Sequence, residues 1–116
     1  MRKKSSDSVK VFYPKLNREE IILKLRDKIG NLDNILPLRL ACLFGSYATG
    51  KYTVASDIDI LIIYKGEKRE EDYALAKTII DIPRLEPHVY SETEYEKMKK
   101  TIDKMMEKGV VIKSEI

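Results

Sequence analysis

Two aspartates, Asp57 and Asp59, stand two residues apart at the head of an apolar run that continues to Tyr64. On a β-strand alternate side chains share a face, so both carboxylates leave the same side with Cα atoms about 6–7 Å apart. At that spacing they can converge on one divalent cation. Oxygen-only ligands suit Mg2+ or Mn2+ rather than zinc. Ile58, Ile60 and Ile62 fill the opposite face. Two acids opening an apolar strand are costly unless solvent or a metal compensates them. Upstream, Gly45-Ser46 directly follows a second apolar run, Leu38 to Phe44. A glycine there lets the backbone turn sharply and a ligand approach closely. Ser46 offers a hydroxyl and a backbone N–H to a phosphate, helped by any helical turn that begins there. Asp-x-Asp alone is commonplace at strand mouths, and Gly-Ser alone is an ordinary turn. Both at strand ends, with ten residues between Ser46 and Asp57, make a more specific pattern.

The elements that must hold these residues follow from periodicity. Asn17 and Glu20 form a capping-box pattern, and Ile21, Ile22, Leu25, Ile29 and Leu32 then recur at helical spacing. Gly30, Asn31, Asp33 and Asn34 are expected to end that helix, with Pro37 preventing its continuation. Leu38 to Phe44, with Arg39 as its one charge, reads as a buried strand. Gly45 to Ala55 reads as a loop with room for one helical turn, and Asp57 to Tyr64 as a second buried strand. Gly66 breaks it. Arg69 to Ile80 is expected to be a helix with Tyr73, Ala76 and Ile80 on one stripe. Leu85 to Tyr90 reads as an edge strand, because Pro87 cannot donate to a ladder on both sides. Ser91 and Glu94 form another capping box, opening a helix whose stripe is Tyr95, Met98, Ile102, Met105 and Met106. Gly109 fits the stop position, and Val110 to Ile112 can add a short final strand. Strands alternate with helices, so the fold class is α/β or α+β with a small mixed sheet.

Composition narrows the function classes. At 116 residues the chain has the length of one domain. Residues 1–15 carry five basic residues against Asp7 and read as a flexible basic tail; residues 16–116 read as the domain. The net charge is only +3, because the abundant charges nearly cancel, so no strong field marks a nucleic-acid binder. No segment approaches the ~20 apolar residues that span a bilayer. The basic start runs into Ser and Asp rather than an apolar stretch, so no leader is expected. The single cysteine, Cys42, excludes an internal disulfide framework and any CxxC metal motif. A cytoplasmic protein is expected. The lack of Gln and Trp beside plentiful Lys, Glu and Ile leans toward a thermophile.

The stretch LFGSYATGKYTVASDIDILIIY, residues 43–64, resembles the nucleotidyltransferase superfamily typified by DNA polymerase beta, and most of all its minimal nucleotidyltransferases. The order of elements matches over roughly residues 17 to 112. The resemblance implies a mixed sheet flanked by helices, two Mg2+ ions, and transfer of a nucleoside monophosphate from a nucleoside triphosphate, most simply AMP from ATP. It implies that Gly45 and Ser46 hold the triphosphate and that Asp57 and Asp59 hold the metals. It also implies a third acid on a neighbouring strand. Glu86, on one face with His88 and Tyr90, is the candidate, where the family usually has Asp. Read from the residues alone, Glu86 is a surface carboxylate beside Arg84, and His88 is a rim or structural residue. Thr49 stands where many relatives have Arg, with Lys51 the nearest cation.

Such chemistry needs little beyond alignment and charge compensation, so a small site suffices. The resemblance further implies an antitoxin whose partner is a small helical HEPN-type ribonuclease. A binding module that neutralises its partner by covering it is the alternative from another class. Small-molecule nucleotidylation normally comes with a substrate domain for which this chain has no room. Direct nucleic-acid binding through the tail ranks last.

Overall fold

The computed structural model describes residues 17–116. The basic tail expected over residues 1–15 lies outside the described residues. Helix α1 (Arg18–Asp33) opens on the expected capping box: the Asn17 side chain accepts from Glu20 N, and the Glu20 carboxylate accepts from Asn17 N. Ile21, Leu25, Ile29 and Leu32 are its buried stripe. Gly30 does not end it. The helix continues to Asp33, with Asn34 as its cap, because Leu32 at the end of the stripe still gains full burial. Then follow β1 (Leu38–Phe44), the single turn α2 (Ser46–Thr49), β2 (Ile58–Tyr64), α3 (Asp72–Ile80), β3 (Leu85–Ser91), α4 (Glu92–Lys97), α5 (Lys99–Met106) and β4 (Val110–Ser114).

The four strands form one mixed sheet in the order β3-β2-β1-β4. β1 runs antiparallel to β2 and β4, while β3 runs parallel to β2. β3 is an edge strand, which is where Pro87 can sit without leaving a second neighbour unpaired. A register shift between Leu38 and Leu40 places these two leucines, two residues apart, on opposite faces. One face carries the larger core, with Ile58, Ile60, Ile62, Tyr64, Leu43 and Leu85 under the apolar stripes of α1 and α3. The other carries Leu40, Cys42, Leu61 and Ile63 under α5, with Tyr95, Met105 and Met106 at its margin. The sheet is therefore flanked by helices on both faces, as the alternation of elements requires. Among the described residues no helix is long and apolar enough to cross a membrane.

Three details differ from the sequence reading. α3 starts at Asp72 rather than Arg69, because the segment before it is tied down. The Tyr64 hydroxyl donates to the buried Asp72 carboxylate at 2.7 Å and accepts from Arg69 N at 2.8 Å. The last helix is two. Met98 leaves helical geometry (φ −117°, ψ 23°) and is 39% exposed rather than core. Across this break the Tyr95 hydroxyl donates to Asp103 at 2.8 Å, and Lys99 donates to the same carboxylate. The break lets Ile102 of α5 reach the sheet and become fully buried. Finally, Gly109 does not act as a left-handed helix stop. A Cβ there would meet the Leu43 carbonyl oxygen at 2.8 Å, so glycine is required for close approach to β1.

Candidate active site

The strand directions bring the candidate residues to one end of the sheet. β1 finishes there with Phe44 and passes into Gly45; β2 and β3 both begin there. Phe44 faces Asp59 across the β1–β2 ladder, and Asp59 faces Glu86 across β2–β3. Asp59 thus occupies the middle of a three-strand row.

Gly45 has φ 76° and ψ −154°, a backbone region essentially reserved for glycine. Its carbonyl accepts from Ala48 N and Thr49 N, so the chain winds at once into α2. Gly50, at φ 81°, closes that turn. The Asp59 carboxylate packs directly onto the Gly45 Cα, leaving no space for a Cβ. The Gly-Ser turn and the second aspartate, thirteen residues further along the chain, are therefore in contact. Tyr47 of α2 is buried and stacks on Tyr52 with ring centroids 4.2 Å apart. The Tyr52 hydroxyl accepts from Arg18 N, and Arg18 Nε donates to the Ala48 carbonyl. Helix α1 thereby anchors the loop that carries the turn.

Asp57 precedes β2, and its side chain is 58% exposed, whereas that of Asp59 is 27% exposed. Asp57 is paired with Arg84, Oδ1 to Nη2 at 3.3 Å. The same guanidinium donates to the Ala55 and Ser56 carbonyls at 2.5 and 3.1 Å. Arg84 does not pair with Glu86. Its own backbone is left-handed at φ 66°. That conformation costs a non-glycine residue about 1–2 kcal/mol, while an exposed ion pair returns about 0–1 kcal/mol. The ion pair therefore does not explain on stability grounds why arginine, rather than glycine or asparagine, stands at this position.

Glu86 and His88 lie on the same sheet face as Asp59, as their parity in the chain predicts. The Tyr73 hydroxyl of α3 donates to Glu86 Oε1 at 3.3 Å. His88 Nε2 lies 3.3 Å from Asp59 Oδ1, and its ring meets Phe44 edge-on at 4.9 Å. The sequence reading missed Arg84, Tyr73 and the His88 contact. Parity already sets His88 on one face with Glu86; only the parallel register sets it against Asp59.

Among the described residues, no three His, Cys, Asp or Glu side chains are gathered closely enough to hold a metal ion together. Asp57 and Asp59 nonetheless fit a hard divalent cation. Both offer carboxylate oxygens at the mouth of the sheet, and one of them already holds a cationic stand-in, the Arg84 guanidinium. Mg2+ is commonly bound by one or two carboxylates, with substrate phosphates and water completing its shell.

The model of the nucleotidyltransferase domain family matches residues 22–112, so the chain belongs to that family. In fold it is similar to a candidate nucleotidyltransferase from Sulfolobus solfataricus, with a TM-score of 0.54 and 20% identity over 96% of this chain and 90% of that one. Among curated proteins no match was found.

Proposed function

We propose that the chain is a metal-dependent nucleotidyltransferase that moves a nucleoside monophosphate, most simply AMP from ATP, to an acceptor hydroxyl. The observation that carries this reading is the seating of the Asp59 carboxylate on the Gly45 turn, in a chain of the nucleotidyltransferase family. In the transfer, an acceptor oxygen attacks the α-phosphorus. The bond to the bridging oxygen breaks, pyrophosphate leaves, and the acceptor's proton passes to solvent. Asp57 and Asp59 hold the divalent cations, two Mg2+ or alternatively Mn2+, with Glu86 as the third acid. When bound, these ions offset the charge of the triphosphate and of the departing pyrophosphate. Gly45 lets the backbone approach the phosphates, and Ser46 supplies its hydroxyl. The Gly45 carbonyl takes Ala48 N and Thr49 N, which leaves the N–H groups of Ser46 and Tyr47 to meet phosphate oxygens. The acceptor is a residue on a small helical HEPN-type partner, for which this chain serves as the antitoxin.

One observation favours the second reading, a non-catalytic module that neutralises a partner by binding it: Glu86 is engaged by Tyr73. ATP labelled on the α-phosphate, incubated with Mg2+ and the protein encoded alongside, separates the two. Transfer of label, lost in Asp57→Asn and absent with γ-label, is expected. A stable unlabelled complex that Asp57→Asn leaves intact overturns the enzyme reading in favour of the module.

A further inference from the structure

We propose that Arg84 is the built-in counter-cation of this site: it holds Asp57 while no divalent cation is bound, and turns to the triphosphate when the metal-bound nucleotide arrives. The inference rests on the reading of Asp57 as a metal ligand and goes beyond it.

The geometry shows the first position of the guanidinium, and its exposure leaves it able to reach a second. Nη2 is 3.3 Å from Asp57 Oδ1, on an oxygen that a cation would use to bind that carboxylate. A positive group there competes with a divalent cation for Asp57 Oδ1 and repels it. The Ser56 carbonyl accepts from Nε and the Ala55 carbonyl from Nη2, so the side chain is held at the loop that leads into β2. It is not buried: just over half of it is open to solvent, so it can leave Asp57 without being freed from a packed core. The backbone is tied separately, the Arg84 carbonyl accepting from Ile58 N at 2.9 Å. The side chain can therefore swing while its anchor stays fixed.

Its charge also reaches across the mouth of the site. Burial, and then neighbouring Tyr52, push the Tyr47 hydroxyl above its ordinary range, and Arg84 acts on it in the opposite sense. Tyr47 lies in α2, immediately after Gly45-Ser46. The guanidinium is thus within electrostatic range of the first aspartate and of the Tyr47 hydroxyl, a side chain of the helix that the Gly45-Ser46 turn opens. That turn offers little cationic charge of its own, because Thr49 is neutral and Lys51 is the one charged residue between Gly45 and Asp57. A planar guanidinium can bind a phosphate through two parallel hydrogen bonds, which lysine cannot.

The two roles have opposite signs, and that makes them testable. Wild type, Arg84→Asn and Arg84→Lys are titrated with Mn2+ alone, and with Mn2+ plus a non-hydrolysable ATP analogue. Asparagine tolerates the left-handed backbone, and Arg84→Gly at the same position serves if Arg84→Asn does not melt cooperatively. Arg84→Asn is expected to bind Mn2+ alone roughly three- to tenfold more tightly, through loss of a competing and repelling charge. It is expected to bind the Mn2+–nucleotide roughly tenfold more weakly, through loss of the two-pronged phosphate contact. Arg84→Lys is expected to match wild type with Mn2+ alone and to remain weaker with the nucleotide. Unchanged or weaker Mn2+ binding by Arg84→Asn overturns the counter-cation role, and unchanged nucleotide binding overturns the phosphate role. Both results are read against wild type: if wild type itself binds neither Mn2+ nor the Mn2+–nucleotide, the reading of the site fails, and Arg84's role with it.

Discussion

Gly45 is the residue on which the site's geometry turns. Its backbone lies where other residues rarely go, and the Asp59 carboxylate occupies the space a side chain would need. Gly45→Ala therefore acts twice, by straining the turn and by displacing Asp59. We expect at least a tenfold loss of Mn2+–nucleotide affinity by titration. The accompanying fall in stability should be about 1–3 kcal/mol, visible as a lower melting temperature. Normal affinity in a destabilised variant would reduce Gly45 to a structural turn. The pattern that named Gly45, Ser46, Asp57 and Asp59 was legible because strand parity and glycine turns are local properties. Arg84 was not legible in its role: nothing in the sequence marks a left-handed arginine, and its partners Ala55, Ser56 and Asp57 lie 27 to 29 residues away. Tyr73 was hidden for another reason. Helical spacing assigned it to the core stripe with Ala76 and Ile80, yet it is 45% exposed and turns to Glu86 at the sheet edge.

At the scale of elements, β2 and α3 are joined through a hydrogen bond that sequence periodicity cannot show. Tyr64, the last residue of β2, is fully buried and donates to Asp72, which opens α3 and is itself 2% exposed. This pairing shortens α3 to nine residues and defines the turn before it. Burial above all raises the Tyr64 hydroxyl to about 12; the Arg69 N–H opposes it, and the Asp72 carboxylate adds to the rise. The folded value lies above the unfolded one, so the neutral phenol stabilises the fold. That contribution is complete below about pH 10 and is lost as pH rises toward 12. Tyr64→Phe should lower stability at neutral pH by about 1–3 kcal/mol, because Asp72 loses a buried donor. Melting curves of both proteins from pH 9 to 12 check the rest: the wild-type advantage should shrink across that window. A constant gap would mean that Tyr64 does not titrate with unfolding. The capping boxes at Asn17 and Ser91, the four strands and the edge position of β3 were readable because their signals span three to eight residues. The break at Met98 was not, since the Met-rich stripe is compatible with one straight helix; only packing against the sheet decides between one helix and two.

In the whole molecule the two faces of the sheet have unequal tasks. Every strand that carries a candidate site residue contributes to the larger core, and α1 both fills that core and anchors the α2 loop through Arg18. The smaller core depends on α5, whose single fully buried side chain is Ile102. It braces β1 and β2 from behind and delivers the chain to β4 at the far edge from β3. Truncating Ile102 to alanine removes three heavy atoms from that face and leaves a cavity that the sheet cannot close. A cost of about 2–4 kcal/mol is expected, and a domain of this size should then melt roughly 10–25 °C lower. The site should be spared. Asp59 shares its sheet face with Leu61 and Ile63 of the smaller core, but its carboxylate meets Gly45 and His88, while Gly45, Asp57 and Arg84 are held by turns and by the β-ladder. Below its melting transition, Ile102→Ala should therefore bind the Mn2+–nucleotide within about twofold of wild type. Titration at 10 °C, paired with amide hydrogen exchange, tests this: protection should fall in α4, α5 and β4 while β2 keeps its own. A loss of affinity matching that of Gly45→Ala would mean that the α5 face transmits directly to Asp59, through Leu61 beneath it, and that the two cores act as one.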